Sequence, residues 1–473
     1  MTTRRRTRER VVRLGRSMRY RADRFLQSLS TWAKPPQLTA GAFATVVLLG
    51  TALLALPAAT ETGEGAGFVT ALFTATSAVC VTGLIVVDTP EYWSTFGEAV
   101  ILALIQIGGL GIMALATVLT MAVGRRLGLR MAVRTSSEAK SLTLGDVREL
   151  VKGIVTVTLI AEALLAAVLG LRWWLYYGES PGRAAYLGLF HAVSAFNNAG
   201  FALYSDSLEG FVTDPWICVP VAVAVVAGGL GFPVWLELWR FSRRRRERYH
   251  WSLHARITLV TTAVLLAVGF VSFLVLEWRN PATMGGLDPR DKLLAAFFQA
   301  VMPRTAGFNS LPFGEMNTQT LLVTDILMFV GGGSAGTAGG IKVTTFALLA
   351  FVILANVRGE PTVHVAGRRL SDGVVPQATT VVLMAIGLVV TATLALMTIT
   401  PFSLDEILFE TTSAFGTVGL STGITGELPV AGEFIIVFLM FVGRIGPITL
   451  ASALALRRRP RRYELPEERP IVG

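Results

Sequence analysis

Long apolar runs alternate with shorter polar segments along nearly the whole of this 473-residue chain. A membrane-spanning helix needs about 20 mostly apolar residues, because the hydrocarbon core of a bilayer is about 30 Å thick. Eight runs reach or approach that length, and we interpret them as membrane spans. They lie near Ala40–Ala59, Phe96–Val123, Ile154–Tyr177, Pro215–Trp239, Ile257–Leu276, Leu321–Leu354, Val374–Ile399 and Glu433–Leu456.

A related, semi-polar stretch lies between the two members of each pair of runs. The four stretches align without gaps, and each has a phenylalanine ten positions before a glycine. Repetition at a nearly constant period indicates a duplicated structural unit. The stretches are FTATSAVCVTGL (Phe73–Leu84), FHAVSAFNNAGF (Phe190–Phe201), FFQAVMPRTAGF (Phe297–Phe308) and FETTSAFGTVGL (Phe409–Leu420).

The repeating unit is predicted to be a span, a short pore helix that enters the membrane part of the way, and a second span. Two spans return the chain to its starting side, so all four units share one orientation, unlike inverted repeats. The sequence therefore predicts an all-α integral membrane protein with four span–pore-helix–span repeats around a pseudo-fourfold central pore. The predicted boundaries are a basic N-terminal segment 1–38, repeats at 39–124, 150–240, 254–357 and 372–457, and a C-terminal tail 458–473.

Composition and charge support this interpretation. Hydrophobic residues make up 52% of the chain and charged residues only 16%, whereas a soluble domain has about 25% charged residues. The net charge of +10 comes from short basic blocks on one predicted face, which the positive-inside rule explains better than nucleic-acid binding does. We expect a multi-pass protein of the bacterial plasma membrane with both termini cytoplasmic. The two cysteines, Cys80 and Cys218, have no disulfide or zinc spacing.

The glycine one position before the end of each stretch predicts an ion-selectivity filter. Extended strands with inward-facing carbonyl groups can replace the hydration shell of a cation, and repeat four shares TVG with the potassium-channel filter TVGYG. Glycine suits such a strand because it adopts dihedral angles that side chains disfavour. Without the second glycine of TVGYG, we expect only moderate selectivity over sodium. The candidate ion-binding residues are Val81, Thr82, Gly83, Asn198, Ala199, Gly200, Thr305, Ala306, Gly307, Thr417, Val418 and Gly419.

These four motifs, SAVCVTGL, SAFNNAGF, PRTAGFNS and SAFGTVGLSTG, resemble those of the Trk/Ktr/HKT superfamily of potassium transporters. The resemblance covers residues from about 40 to 473 and is nearest to the bacterial Ktr type, because an extra pair of spans and a nucleotide-binding domain are not found in the sequence. It implies that one chain forms a whole pore for K⁺, with sodium-linked activity. It further implies a homodimer in the membrane and a separate cytosolic nucleotide-binding ring of the RCK type.

A run of small residues interrupts the second span of the third repeat. Such a run cannot hold a regular helix well, since each glycine costs about 1 kcal/mol relative to alanine, and non-helical backbone in a membrane must be buried or line water. We predict a movable gate below the filter, with close helix packing as the alternative. A phosphate-binding loop is excluded because the required Gly-Lys pair is missing. The candidate gate residues are Gly331, Gly332, Gly333, Ser334, Ala335, Gly336, Thr337, Ala338, Gly339, Gly340, Lys342 and Arg444.

Ionisable residues in spans are costly and usually face a cavity or a partner. Arg444 is predicted to hold the gate by bonding loop carbonyls or to repel cations; the alternative is an arginine that reaches the membrane interface. Glu162 and Glu410 are expected to be structural hydrogen-bond partners, with ion binding as the alternative. Arg304 is a candidate anchor for the third filter strand. Asn197 and Asn198 are candidate braces for the second.

The predicted function is potassium uptake through a carbonyl-lined filter gated by a mid-membrane loop and stimulated by sodium. The alternative is a secondary transporter of another cation or solute that works by alternating access, although such proteins usually have inverted repeats. An enzyme is not expected, because paired catalytic acids and the HExxH and GxSxG motifs are not found in the sequence.

Overall fold

A computed structural model describes residues 35–111, 144–243, 251–447 except 361, 367, 371 and 372, and residue 449. Parts of the predicted organisation lie outside these residues: the segment 1–34, the end of repeat one, the basic loop 125–143 and the chain from 450 onward. The chain divides into a unit over Phe43–Pro447 and a unit made of 1–42 with 448–473. Of the latter unit, the structure describes residues 35–42 and 449.

The described secondary structure is almost entirely helical. A two-stranded antiparallel hairpin of β1 (His364–Val365) and β2 (Arg368–Arg369) is the exception. The α-helices are α1 (Pro35–Leu54), α2 (Phe68–Cys80), α3 (Thr89–Tyr92), α4 (Thr95–Gly111), α5 (Leu144–Leu175), α6 (Pro181–Phe196), α7 (Pro215–Leu230), α8 (Phe232–Arg243), α9 (Leu253–Glu277), α10 (Pro289–Val301), α11 (Thr318–Phe329), α12 (Val343–Val357), α13 (Val374–Ile399), α14 (Leu404–Gly416) and α15 (Val430–Ile445).

The first span of each repeat is a long apolar helix. Among the described residues, α1, α5, α9 and α13 are long and apolar enough to cross a membrane, and a fifth span is present if the bent pair α7–α8 counts as one. On α9, a stripe of valines at helical spacing leaves 48 to 72% of each side chain exposed: Val260, Val264, Val268, Val271 and Val275. A lipid bilayer explains such a face, because water would make it unfavourable.

The pore helices are α2, α6, α10 and α14. With 13 to 16 residues, each is about 20–24 Å long and too short to cross the hydrocarbon core. Their ends are well defined: Ser180 caps α6, and Ser403 and Glu406 form a capping box on α14. All residues from Phe409 to Gly416 are buried. The pore helices therefore lie inside the protein, surrounded by the spans.

The second spans are less regular than the sequence predicts. The apolar run Pro215–Trp239 forms α7 and α8, which meet at an angle of 101°. Gly231, with φ +88°, and the following Phe232-Pro233 allow this break. The predicted single span over this run is therefore wrong in this respect. In the third repeat, α11 and α12 are separated by a non-helical segment, as expected from its glycine content.

Candidate functional site

The four glycine strands share one backbone conformation. Each strand begins with a residue in the left-handed region, at Val81 (φ 55°), Asn198 (φ 60°), Thr305 (φ 65°) and Thr417 (φ 49°). The glycine two positions later also has positive φ in every repeat. Left-handed backbone is rare for residues with a Cβ and for valine or threonine is strained. Its recurrence at four equivalent positions shows that the repeats impose the same special geometry.

The four strands lie next to one another in a closed ring. A Cβ built on any of the four glycines would come closer than 3.0 Å to the main-chain oxygen of the next strand. These clashes explain why a side chain cannot be placed there without moving the backbone. The glycine–oxygen pairs are Gly83 with Ala199, Gly200 with Ala306, Gly307 with Val418, and Gly419 with Thr82.

Each strand is anchored through its N–H groups to the end of its own pore helix. The Thr82 N–H donates to the Ser77 oxygen (2.8 Å) and the Val418 N–H to the Ser413 oxygen (2.9 Å). The two serine hydroxyls also accept from the next N–H, at 3.0 and 3.1 Å. These bonds explain the serine of the Ser-Ala pair in repeats one and four. The third repeat has Met302 in this region, whose oxygen accepts from the Ala306 N–H at 3.0 Å.

The carbonyl groups of the ring, in contrast, have no donor in the part of the chain that the structure describes. None of the described residues donates a hydrogen bond to the main-chain oxygens of Thr82, Ala199, Ala306 or Val418, although all four residues are buried. Buried main-chain oxygens are rarely left without a partner. The C-terminal ends of four pore helices add partial negative charge nearby. The ring can therefore bind a cation that has shed water.

A cavity of about 530 Å³ opens onto one end of this ring, here called the outer end. Its lining includes all four ring glycines. Four carboxylate residues also line it: Asp88, Asp206, Glu209 and Glu315. A cavity lined by one sign of charge raises the local concentration of the opposite ion. This vestibule therefore favours cations at the entrance to the ring.

Glu209 is the vestibule carboxylate with the most perturbed acidity. Burial and the nearby Asp206 raise the pKa of Glu209 to about 7, although a hydrogen bond from Asn309 opposes the shift. The Asn309 side-chain nitrogen lies 2.6 Å from the Glu209 carboxylate. Because Asn309 follows the third strand, this bond joins the vestibule walls of repeats two and three. The charge at the entrance therefore changes near neutral pH.

The predicted gate residues Gly331–Gly340, here called the intramembrane loop, lie against the inner ends of the strands. A Cβ on Gly339 would contact the Thr417 hydroxyl, and one on Gly228 would lie 2.9 Å from the Thr337 hydroxyl. The loop backbone is bonded to the broken span α7: Gly333 N–H to the Gly229 oxygen (2.8 Å) and Thr337 N–H to Gly228 (3.2 Å). The loop is buried in protein, which satisfies its polar backbone as membrane depth requires.

Arg444 contacts the centre of this loop. Its guanidinium donates to the main-chain oxygen of Thr337 and, at 3.2 Å, to that of Gly108 in α4. The side chain is only 4% exposed, so it does not extend to the membrane interface. Lys342 lies at the loop's end, and its amine donates to the Ala338 oxygen at 2.6 Å. Arg444 thus joins repeats one, three and four, while Lys342 closes the loop on itself.

Arg304 has a partner other than the one expected. Its guanidinium donates to the Gly331 oxygen at 2.7 Å, which belongs to the intramembrane loop and not to one of the four glycine strands. The sequence expectation that Arg304 anchors the third strand through strand carbonyls is therefore corrected. Asn198 donates to the Arg304 oxygen (3.3 Å) and accepts from the Thr337 hydroxyl (2.8 Å). Asn198 therefore links strands two and three with the loop.

A buried polar cluster lies beside the second strand. The Asn197 side chain donates to the Glu162 carboxylate at 2.8 Å and to Gln106 at 3.2 Å. Gln106 in turn donates to Glu162 at 3.3 Å. Gln106 was not singled out by the sequence, because one amide in an apolar run gives little signal. The cluster joins α4, α5 and the end of α6, so Glu162 acts here as a hydrogen-bond acceptor.

Glu410 holds the outer end of the fourth strand. Its carboxylate accepts from the Ser421 hydroxyl, the Thr422 N–H (3.2 Å) and the Thr425 hydroxyl (2.8 Å). The residue is fully buried, and all three donors follow the strand in the chain. The STG segment of the motif SAFGTVGLSTG provides two of these donors, which explains its place in the motif. Glu410 therefore positions the strand from behind.

Comparison with known proteins relates this chain to cation transport proteins. The family model TrkH, described as a cation transport protein, matches residues 29–459. Ktr system potassium uptake protein B of Bacillus subtilis is 41% identical over 89% of this chain and 93% of its own length. The corresponding protein of Vibrio alginolyticus is 41% identical, covering 93% and 95%. Potassium/sodium uptake protein NtpJ of Enterococcus hirae is 36% identical over 93% and 97%.

The fold is also that of a solved structure. The crystal structure of the potassium transporter TrkH from Vibrio parahaemolyticus matches with a TM-score of 0.69 and 20% identity, covering 88% of this chain and 85% of that one. Four converging strands below an acidic vestibule, in a multi-pass helical protein, are typical of membrane proteins that conduct cations. The chain belongs to the TrkH family of cation transport proteins. The resemblance found in the sequence motifs is thereby confirmed.

Proposed function

We propose that this chain is the ion-conducting membrane subunit of a bacterial potassium uptake system. K⁺ collects in the acidic vestibule, sheds water at the ring of strands and passes inward when the intramembrane loop moves aside. The observation that carries this proposal is the set of four buried main-chain oxygens, on Thr82, Ala199, Ala306 and Val418, that have no donor among the described residues. Oxygen rings of this kind replace the hydration shell of a permeating cation.

The intramembrane loop is the proposed gate. Its residues lie against the inner ends of the four strands. Its backbone is hydrogen-bonded mainly to non-helical or helix-end groups, such as Gly228 and Gly229. Such contacts can exchange for others without breaking a regular helix. Arg444 places a positive charge at the same level, which opposes the passage of a cation while the loop is closed. Movement of the loop and of this guanidinium opens the path.

Selectivity over sodium is proposed to be moderate. The strands of repeats one and two share only the glycine with the TVGYG filter, and the strand of repeat three shares only Thr305 and Gly307, so the four strands are not identical. We further propose that sodium stimulates transport. The name of the Enterococcus hirae relative, a potassium/sodium uptake protein, supports a role for both ions.

The remaining proposals concern orientation and partners. We propose that both termini are cytoplasmic, which the basic blocks of the sequence support through the positive-inside rule. The relatives are named as proteins of a Ktr system, which supports a multi-component assembly. We propose a homodimer in the membrane that docks on a cytosolic nucleotide-binding ring of the RCK type through its basic loops.

The direct test is cation uptake by the purified protein in liposomes. Rubidium or potassium should enter down its gradient, with an electrical potential that follows the K⁺ gradient and a smaller response to Na⁺. An alternating-access transporter of another solute would instead show tightly coupled exchange without such a potential. Absence of K⁺ and Rb⁺ uptake, with and without the partner ring, would overturn the proposal.

A further inference from the structure

A closed circuit of hydrogen bonds joins the intramembrane loop to two of the four strands. From the loop, the Thr337 hydroxyl donates to the Asn198 side-chain oxygen at 2.8 Å. The Asn198 amide nitrogen donates to the Arg304 main-chain oxygen at 3.3 Å, and the Arg304 guanidinium donates to the Gly331 oxygen at 2.7 Å. Gly331 and Thr337 belong to the same loop, so the circuit returns to its starting point.

The bond to the Gly331 oxygen is the one hydrogen bond that the Arg304 side chain makes to the described residues. The side chain is 5% exposed, and two of its nitrogens, Nε and Nη1, have no partner among the described residues. Arg304 forms no ion pair with any of the described residues. A buried guanidinium is costly to leave poorly paired. The one side-chain hydrogen bond of Arg304 is made to Gly331, at the point where the loop follows α11.

That point is the base of the loop. The Gly331 N–H donates to the Ile341 oxygen at 2.8 Å, and the Val343 N–H donates to the Gly332 oxygen at 3.0 Å. These bonds bring the two ends of the loop together. Arg304, whose next residue is the first of the third strand, therefore joins strand and loop base.

Arg444 holds the loop differently. It is part of α15 and contacts the loop's centre at Thr337, and it is 25 residues beyond the strand glycine Gly419. Loss of Arg444 frees the loop without removing any bond to a strand. Loss of Arg304 frees the loop base and also removes the side chain that links this base to the start of the third strand. Substitutions of the two arginines can therefore be compared, because both loosen the loop but only one acts on a strand.

We propose that Arg304 is a positioning residue that couples the gate to selectivity, a role that rests on the proposed function. Through Arg304 and Asn198, the closed loop keeps strands two and three in register. When the Arg304 bond is lost, both the loop base and the two strands are released. Conduction and ion discrimination therefore change together when Arg304 is replaced, and Arg304 is the residue through which they are linked.

The test compares Arg304→Gln, Arg304→Lys and Thr337→Val with two controls. Arg444→Gln loosens the loop only, and Thr324→Val removes a buried hydroxyl that bonds within α11, at the Thr320 oxygen. Maximal Rb⁺ uptake, half-saturating Rb⁺ concentration and the ratio of K⁺ to Na⁺ uptake are measured in liposomes, and melting temperature reports folding.

Loss of one charge-assisted bond shifts a two-state equilibrium by about tenfold or more. Arg304→Gln should therefore raise maximal uptake and lower the K⁺/Na⁺ ratio together, by about threefold or more each. Thr337→Val, which breaks the circuit at another link, should also lower the ratio. The double variant Arg304→Gln/Thr337→Val should be no less selective than the more affected of the two single variants. Each substitution alone already breaks the same circuit, so the second adds no further loss. Arg304→Lys should restore part of the ratio, and Arg444→Gln should raise uptake alone.

The outcomes separate this inference from the proposed function. If the wild type does not transport K⁺, the proposed function fails. If the wild type transports K⁺ but Arg304→Gln leaves the ratio unchanged, or if Arg304→Gln and Thr337→Val act additively on it, the coupling role is wrong. Should Arg304→Gln melt too early to be assayed, Arg304→Lys and Thr337→Val decide the matter by the same criterion.

Discussion

The guanidinium of Arg444 donates a hydrogen bond to the main-chain oxygen of Thr337, across 107 positions of sequence. The bond joins the last described helix to the centre of the intramembrane loop. A second bond from the same guanidinium reaches Gly108 in the first repeat. One buried cation therefore ties together three repeats below the ring of strands. In the proposed closed state, Arg444 therefore restrains the centre of the loop.

Replacing Arg444 by glutamine should increase transport. The substitution removes a positive charge from the cation path and one or both bonds to carbonyl oxygens, and a hydrogen bond to a charged group contributes about 1.5–3 kcal/mol. We expect maximal Rb⁺ uptake to rise several-fold in liposomes with little change in the K⁺/Na⁺ ratio. Arg444→Lys, which keeps the charge, should stay closer to the wild type. Unchanged uptake with altered selectivity would contradict the gating role.

A side chain at the ring glycines should abolish selective uptake. In Gly419→Ala, the new Cβ would overlap the Thr82 oxygen, and the backbone at φ +94° is one that alanine rarely adopts. We expect K⁺ uptake to fall at least about tenfold and the K⁺/Na⁺ ratio to approach one. Gly387→Ala in α13 is a matched control, because nothing lies within 4 Å of its added Cβ. Loss of uptake in both variants would point to a general defect instead.

Removing the Glu410 carboxylate should loosen the fourth strand from outside. In Glu410→Ala, the hydroxyls of Ser421 and Thr425 and the Thr422 N–H lose their acceptor. Each unsatisfied buried donor costs about 1–3 kcal/mol, so melting temperature and K⁺/Na⁺ selectivity should both fall. Glu410→Gln retains an acceptor and should lose less. Glu427→Ala, at an exposed position, serves as the control, and equal effects of the two alanine variants would refute this assignment.

The repeat architecture was predictable from sequence because it depends on patterns among residues close together in the chain. Apolar run lengths gave the first spans, and a glycine at a fixed offset from phenylalanine gave the four strands. The family resemblance rests on the same strings and is confirmed by the match over residues 29–459. The roles of these glycines as a filter remain a proposal, although the structure brings all four together in one ring.

Contacts between distant residues were not predictable in the same way. Arg304 and Gly331 are 27 residues apart, and Gln106 and Asn197 are 91 apart; no periodicity relates them. The bend at Gly231 was missed because hydropathy alone does not distinguish one span from two helices in a row. The string GGLGFP, with Gly231 and Pro233, carries the signal, since glycine and proline together favour a break.

Uptake should depend on external pH through Glu209. Its pKa of about 7, raised by burial and by Asp206, means that the carboxylate is largely neutral at pH 6 and largely ionised at pH 8. An ionised vestibule attracts cations, so the half-saturating Rb⁺ concentration should fall as pH rises across this window. Glu209→Gln should flatten the dependence, whereas Glu427→Gln should leave it intact. A profile that is unchanged by Glu209→Gln would assign the pH dependence to another group.

The most direct measurement is to locate permeant ions by anomalous scattering from crystals grown with Rb⁺ or Tl⁺. Our account predicts a peak on the axis of the ring, coordinated by the main-chain oxygens of Thr82, Ala199, Ala306 and Val418, with loss of the peak in Gly419→Ala. Peaks confined to the vestibule carboxylates, with none between the four strands in the wild type, would contradict it.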